Sequence, residues 1–328
     1  MAAPGSLGDT PPRVVALLAT RNGMRWLPEQ LASILAQQGV DLSIVASDDA
    51  STDGTRAWLE DAAAREPRLR LLPDTGASGS SAANFALLLR TAVIPAGSLV
   101  AFADQDDLWH PGKLARHAEL LRSLGVDGVS SSITAFDESG RRTLVRKDYP
   151  QRQWDFLLES PGPGCTFLLS SRLAALVVGV LERHPGLTAQ VDFHDSLIYA
   201  IARAHGWRWH IDGVPSVDYR QHDSNVLGSN TGMRAARTRL ALIRSHWLRD
   251  HAIALTEVSI AVARDAAEAR EHASADAGER AQELARIRLL MAGRGIRDRL
   301  QMARMAGTLR RRPRDRRIMR GLIALGVW

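Results

Sequence analysis

The sequence predicts an α/β fold with a mostly parallel central sheet, followed by a helical C-terminal region. Three observations carry that expectation. Short apolar runs alternate with helically spaced stretches over the first 110 residues, the pattern of parallel strands joined by crossover helices. Four apolar runs lead into polar, mostly carboxylate-bearing turns, and in an open α/β sheet ligands sit beyond the carboxyl ends of the strands. From about residue 232 the chain changes to long Ala/Arg/Leu/Glu-rich stretches, with almost no proline up to about residue 290.

Taken in order, residues 1–12 are a polar lead-in ending in Pro11-Pro12, expected to be disordered. The first strand, Val14–Ala19, leads into Thr20-Arg21-Asn22. Trp26–Gln38 has apolar residues at Leu27, Leu31, Ile34 and Leu35, which is helical spacing, and Gly39 is placed to stop it. The second strand, Leu42–Ala46, leads into Asp48-Asp49-Ala50-Ser51-Thr52-Asp53-Gly54, and a helix follows over Thr55–Arg65. Leu69–Leu72 is a short strand, and the Gly/Ser-rich loop Asp74–Ser81 enters a helix at Ala82–Thr91. The strand Leu99–Ala103 runs into Asp104-Gln105-Asp106-Asp107. Beyond it the expectations are a helix at Lys113–Leu124, strands at Gly128–Phe136 and Cys165–Ser170, and a helix at Leu197–His205 behind His194-Asp195. Short strands at Trp207–His210 and Val214–Tyr219 complete this part. A catalytic or binding domain over residues 12–230 and a helical region over 231–328 are the expected division.

An apolar fraction of 45% is ample for a core in a chain of 328 residues. The single Cys165 excludes an internal disulfide and fits a reducing compartment. No basic start with an apolar core marks a signal peptide, and the longest apolar stretch, Leu173–Leu181, is far short of the roughly 20 residues of a spanning helix. The net charge of +6 hides an asymmetry. Arg286–Arg320 holds 13 arginines against two acids, a local +11, so the rest of the chain is mildly acidic. The run Arg310–Arg320 precedes the apolar Leu322–Trp328, a composition suited to an anionic membrane surface. A solvated tail and nonspecific nucleic-acid binding are the other readings; no specific nucleic-acid site is expected.

Clustered carboxylates repel each other, so convergent acidic turns imply a cation. In Asp104-Gln105-Asp106 two carboxylates two residues apart on extended backbone point the same way and can share Mg²⁺ or Mn²⁺; a solvated acidic turn is the alternative. Asp48 or Asp49, at a strand end, can accept the N3–H of uracil or thymine, with Asp48 favoured. The same stretch also has the composition of a turn capping the next helix. Asp195 is either a base or a helix cap. Trp154, Trp207, Trp209 and Cys165 are expected in the core.

The run Asp104-Gln105-Asp106-Asp107-Leu108-Trp109-His110-Pro111-Gly112-Lys113 resembles the donor-site segment of family 2 glycosyltransferases, especially the rhamnosyltransferase-like branch. Thr20-Arg21-Asn22-Gly23, the Asp48-Asp49 turn, the segment Gly76–Phe85 and Tyr219-Arg220-Gln221-His222 resemble further motifs of that family. The resemblance covers about the first 230 residues. It implies a GT-A-like (Rossmann-like) fold and a metal-dependent, inverting sugar transfer from a dTDP- or UDP-sugar, rhamnose first, to a glycan or lipid-linked acceptor. It places Thr20, Arg21, Asn22, Asp48, Asp49, Asn84, Asp104, Gln105 and Arg220 around the nucleotide, with Asp106 and His222 on the metal. Asp195 would be the catalytic base, with Asp192 as a weaker alternative, and His194 and Trp109 would stand near the acceptor. Many relatives carry Arg where this chain has Ala83, so no phosphate contact is expected there. A cytoplasmic enzyme, peripheral on the inner membrane face, is the implied location.

Two other classes fit less well. A sugar-1-phosphate nucleotidyltransferase needs a glycine-rich basic loop after the first strand, where Thr20–Trp26 has one glycine. A dinucleotide oxidoreductase needs a G-x-G-x-x-G there, which is absent. A nucleotide-sugar-binding module that has lost transfer stays open.

Overall fold

A computed structural model describes residues 10–222, 246–269 and 275–328. Seven strands form the main sheet: β1 (Arg13–Thr20), β2 (Asp41–Asp48), β3 (Leu69–Leu71), β4 (Leu99–Ala103), β6 (Gly128–Ser131), β9 (Leu168–Leu169) and β10 (Trp209–Asp212), in the order β10-β6-β9-β4-β1-β2-β3. The β1–β2, β1–β4, β2–β3 and β6–β10 pairs are parallel, and β9 is antiparallel to both β4 and β6. Thr20 pairs with Asp48 and Leu18 with Ala103, so the polar turns after β1, β2 and β4 lie side by side along one rim.

The strands of this rim are buried on both faces. Val15, Leu17 and Phe102 face one apolar cluster, while Val14, Ala16, Leu18 and Ala101 face the other. That is why they read as continuous apolar runs rather than as alternation. The crossover helices are α1 (Leu27–Leu35), α2 (Thr55–Arg65), α3 (Ser81–Thr91) and α4 (Lys113–Leu124).

Two sequence expectations are corrected. Gly128–Phe136 is not one strand but β6 and β7 (Ile133–Phe136), broken at Ser132 and lying in different sheets. Ser132 N–H donates to Asp212 O as the chain leaves β6. Strand β7 then pairs with β8 (Arg142–Val145) and β11 (Val217–Arg220), and β11 with β5 (Leu108–Trp109), in a second sheet of order β5-β11-β7-β8. Likewise Cys165–Ser170 is a 3₁₀ turn at Gly164–Thr166 followed by the two-residue β9.

Beyond β9 come α5 (Ser171–Arg183), the short α6 (Pro185–Thr188) and α7 (His194–His205). The C-terminal helices are α8 (Trp247–Glu268), α9 (Ala275–Ala292), α10 (Ile296–Arg304), α11 (Ala306–Leu309) and α12 (Pro313–Leu325). Leu255, Val258, Leu284, Ile287, Met302, Ile323 and Trp328 share the cluster that holds Leu17, Phe85 and Phe102, so the helical region and one face of the sheet have a common core. The expected division near residue 231 lies outside the described residues. Trp154 and Trp209 are buried, Trp207 is partly so, and Cys165 is a fully buried free thiol. No helix among the described residues is long and apolar enough to cross a membrane.

Candidate active site

The turns after β1 and β2 are laced together by side chains. Asp48 accepts from Thr20 Oγ1 at 2.9 Å, from Ser51 Oγ at 2.6 Å and from Ser51 N–H at 3.0 Å. Asn22 sits at φ 49°, a left-handed conformation that Asn tolerates better than most residues, and its Oδ1 accepts from Thr52 N–H at 2.8 Å. Gly23 N–H donates to Thr55 Oγ1, and Met24 N–H to Asp53 Oδ2. Asp48 is thus tied into the turn it helps to build, and both it and Asp49 are buried. Asp49 instead accepts from Ser78 N–H of the Gly/Ser loop and lies 3.5 Å from the exposed Arg21 guanidinium. Ser80 caps α3 by accepting from Ala83 N–H at 3.1 Å. Buried Asn84 reaches back toward Thr20 O and Ser47 O at 3.5 and 3.4 Å, and its Oδ1 has no partner.

Gln105 clamps the third turn to the first. Its Oε1 accepts from Arg21 N–H at 2.7 Å and its Nε2 donates to Arg21 O at 2.9 Å, a two-bond match to one residue's backbone. The clamp requires glycine at 23, where a Cβ would lie 2.3 Å from Gln105 Oε1. Gln105 thus holds the rim together; its amide is spent on protein backbone.

Asp104, Asp106 and Asp107 form the acidic centre. Burial pushes Asp104 up to about 7, and the charges of Asp106 and Asp195 add to the shift against the opposing Lys113. Asp107 is 1% exposed, and burial with its two carboxylate neighbours raises it well above the usual range. Beneath them, the Lys113 ammonium lies 3.1 Å from the Trp109 ring centroid, and burial lowers it to about 7. Trp109 is 3% exposed and covered by that lysine, so it is a core residue and not an acceptor contact. Asp104, Asp107 and Cys165 bring three potential ligand atoms within 4.8 Å of one another.

His222 Nε2 lies 2.5 Å from Asp106 Oδ2, and the imidazole stacks on Trp26 with centroids 4.2 Å apart. Carboxylate oxygens with one imidazole nitrogen, in an anion-rich pocket, fit a divalent cation of the Mg²⁺/Mn²⁺ kind, which prefers oxygen donors. Arg220 donates from Nε to Asp106 O at 2.9 Å and from NH2 to Glu29 at 2.6 Å, bracing the turn after β4.

On the other flank, the His194 ring packs on Phe85 at 4.0 Å and Phe102 at 5.8 Å, two residues before Asp104. Burial lowers its pKa to about 4, with Asp195 opposing, so the ring is neutral. Its Nε2 has no partner and lies against Gly164, where a Cβ would approach to 2.0 Å. Helix α7 begins at His194, with Phe193 at the cap position, so Asp195 is in the first turn and does not cap the helix. Its Oδ1 accepts from Ser196 N–H at 2.6 Å, and among the described residues Oδ2 has no hydrogen bond. Asp192 is exposed and accepts from Trp247 Nε1, turned toward α8.

Sequence reasoning missed Trp26, Glu29, Lys113 and Gly164, whose roles depend on partners distant in the chain. It also misjudged the basic run. Arg310 and Arg311 are not on a free tail: Arg311 is 4% exposed and paired with Glu159 at 2.9 Å, and Arg310 lies 3.0 Å from the same carboxylate.

The model of the family described as Glycosyl transferase family 2 matches residues 16–176. The chain is 33% identical over 249 residues to the dTDP-rhamnosyl transferase RfbG of Shigella flexneri, covering 76% of this chain and 85% of that protein. Among solved structures, S. aureus TarS 1–349 with UDP-GlcNAc aligns at TM-score 0.53 and 15% identity, over 90% of this chain and 80% of that one. The same protein with UDP aligns at 0.52 and 15%, over 83% and 70%. At this identity the likeness concerns the fold, which is GT-A-like.

Proposed function

The chain belongs to glycosyl transferase family 2, and on that premise we propose that it is a metal-dependent, inverting enzyme moving a sugar, rhamnose first, from a dTDP- or UDP-sugar to a hydroxyl of a cell-surface glycan or lipid-linked acceptor. The observation that supports the reading is the packing of His194 on Phe102, which brings the adjacent Asp195 toward the carboxyl end of β4, within electrostatic reach of Asp104. The similarity to the Shigella protein supports the dTDP-rhamnose choice.

In this reading the nucleotide lies over the rim made by Thr20, Arg21, Asn22, Asp49 and Asn84, with Gln105 and Asp48 holding the turns in place. Asp48 or Asp49, at the end of β2, accepts N3–H of uracil or thymine; the first is tied to Thr20 and Ser51, the second to Ser78 and Arg21. Asp106 and His222, with Asp104 near, would hold a divalent cation, Mg²⁺ or Mn²⁺, which would supply charge neutralisation for the diphosphate. Asp195 Oδ2 takes the proton of the acceptor hydroxyl as its oxygen bonds to the anomeric carbon. The bond from that carbon to the diphosphate oxygen breaks on the opposite face, the nucleoside diphosphate departs, and the configuration inverts. His194, neutral and wedged between rings, fixes the position of Asp195 and excludes water on that side.

The catalytic domain is taken as residues 12–230 and the helical extension as 231–328. The exposed Ile296, Leu300, Ile318, Leu325 and Val327, set among arginines, suit contact with an anionic membrane surface on the cytoplasmic side.

The test is titration calorimetry with dTDP, UDP and GDP, with and without Mn²⁺, on the wild-type chain and on Asp195→Asn. The expected result is metal-dependent binding of dTDP or UDP by both proteins, with donor turnover by the wild type alone. Turnover by Asp195→Asn at the wild-type rate would remove the base assignment, and no heat with any nucleotide would remove the whole reading.

A further inference from the structure

We propose that residues 308–311 are a positioning element of the catalytic face, with Arg311 setting the place of the His194–Asp195 pair; the inference rests on the transferase reading above. These residues run alongside 154–160. Trp154 N–H donates to Thr308 O at 2.9 Å, and Arg310 NH1 to Leu158 O at 2.6 Å. Arg311 N–H donates to Glu159 Oε1 at 3.2 Å, and its Nε lies 2.9 Å from Glu159 Oε2. Its NH2 donates to Ser160 O, and its NH1 is 3.7 Å from Asp155 Oδ2.

Two routes lead from Arg311 to the pair. Through Asp155, which is fully buried, the route reaches Tyr199, whose hydroxyl donates to Asp155 Oδ1 at 3.1 Å. Tyr199 is four residues after Asp195 on α7, hence on the same helix face, so Asp155 fixes the rotation of the helix that carries the base. Through Ser160 the route continues along the turn to Gly164, against whose backbone the His194 Nε2 is lodged. An arginine suits this place because its planar fork satisfies a carboxylate and a carbonyl at once, which lysine's single ammonium does not. A buried ionic cluster of this kind is weak evidence for stability, since desolvation offsets much of the Coulomb gain. What it constrains strongly is geometry, and the geometry here is that of the acceptor half of the site.

The experiment uses the full chain, as Arg311→Lys and Arg311→Ala, with Arg317→Ala on the exposed side of α12 as control. Three quantities are read: the His194 imidazole resonance, assigned by its loss in His194→Gln; the affinity for dTDP with Mn²⁺; and turnover of dTDP-rhamnose at saturation, with water as acceptor. In Arg311→Lys the His194 resonance should shift and turnover fall about tenfold, while dTDP affinity stays within twofold; Arg311→Ala, where folded, should lose more. Arg317→Ala should match the wild type in all three. A His194 resonance and turnover unchanged in Arg311→Lys would overturn the proposal, as would turnover and dTDP affinity falling together. Should the wild type bind neither dTDP nor UDP, the nucleotide-sugar reading fails, and the His194 resonance still decides the positioning claim.

Discussion

His222 and Asp106, separated by 116 residues, meet with Nε2 and Oδ2 2.5 Å apart. The contact ties the end of the described catalytic region to the turn after β4. It is braced on both sides: Trp26 stacks on the imidazole, and Arg220 donates to the Asp106 carbonyl. Two side chains able to ligate a metal are thus held together at the rim by parts of the chain distant in sequence.

The first prediction concerns this pair. Asp106→Asn and His222→Ala should each weaken Mn²⁺-dependent binding of dTDP by about tenfold or more, the scale seen when groups supporting a metal are removed. Affinity without metal should change little. Calorimetry with and without Mn²⁺ measures both, and equal losses in the two conditions would mean that neither residue serves the cation.

Gln105→Ala removes two hydrogen bonds to the Arg21 backbone. At a net ~1 kcal/mol for each, the expected destabilisation is about 1–2 kcal/mol, read as a lower denaturation midpoint. Nucleotide affinity should fall as well, because the clamp orders the turn that carries Arg21 and Asn22. Gln105→Glu should be worse than Ala, since it loses the donor and adds a fourth carboxylate beside Asp104, Asp106 and Asp107.

His194 predicts a pH effect. Burial lowers its folded-state pKa to about 4 from the usual 6.5. The folded form therefore resists protonation, and the stability linked to this ring is present above pH 6.5 and lost as pH falls through about 4. In thermal melts between pH 7 and 4, wild-type protein should lose Tm more steeply than His194→Gln. Parallel pH profiles for the two proteins would show that the ring is not held neutral.

Much of the rim was legible in the sequence. Helices α2 and α4 and strand β4 occupy the expected residues, and β1 and β2 differ from expectation only at their ends. Strong periodicity and strands buried on both faces leave little ambiguity there. The break at Ser132 was not legible, because strand composition continues through it while the pairing partner changes from β10 to β11. The different partners of Asp48 and Asp49 were not legible either, because Ser51 folds back onto one and Ser78, from a distant loop, onto the other. Arg311 was misread for a similar reason. A local window shows an arginine run as surface, facing a membrane or solvent, and the carboxylate partner Glu159 lies 152 residues earlier.

Gly164 gives the sharpest steric prediction. Its backbone φ is not in the left-handed region, so alanine is not excluded by conformation. What excludes it is His194, whose Nε2 would stand 2.0 Å from the new Cβ, with Cε1 at 2.8 Å. Phe85 and Phe102 close the ring's other side, so it cannot retreat without repacking that aromatic cluster. Overpacking of this kind costs about 1–3 kcal/mol, and Gly164→Ala should lower stability by that amount. The ring and Asp195 are adjacent on α7, so displacing one moves the other, and turnover should fall more than stability alone explains. Nucleotide affinity should hold, because the Thr20–Asn22 and Asp48–Asp49 turns follow β1 and β2 and are held by contacts that do not involve His194. Pairing the change with His194→Ala, which frees the space, should restore the lost stability; a double variant as unstable as the sum of the two singles would show that the glycine serves some contact other than His194.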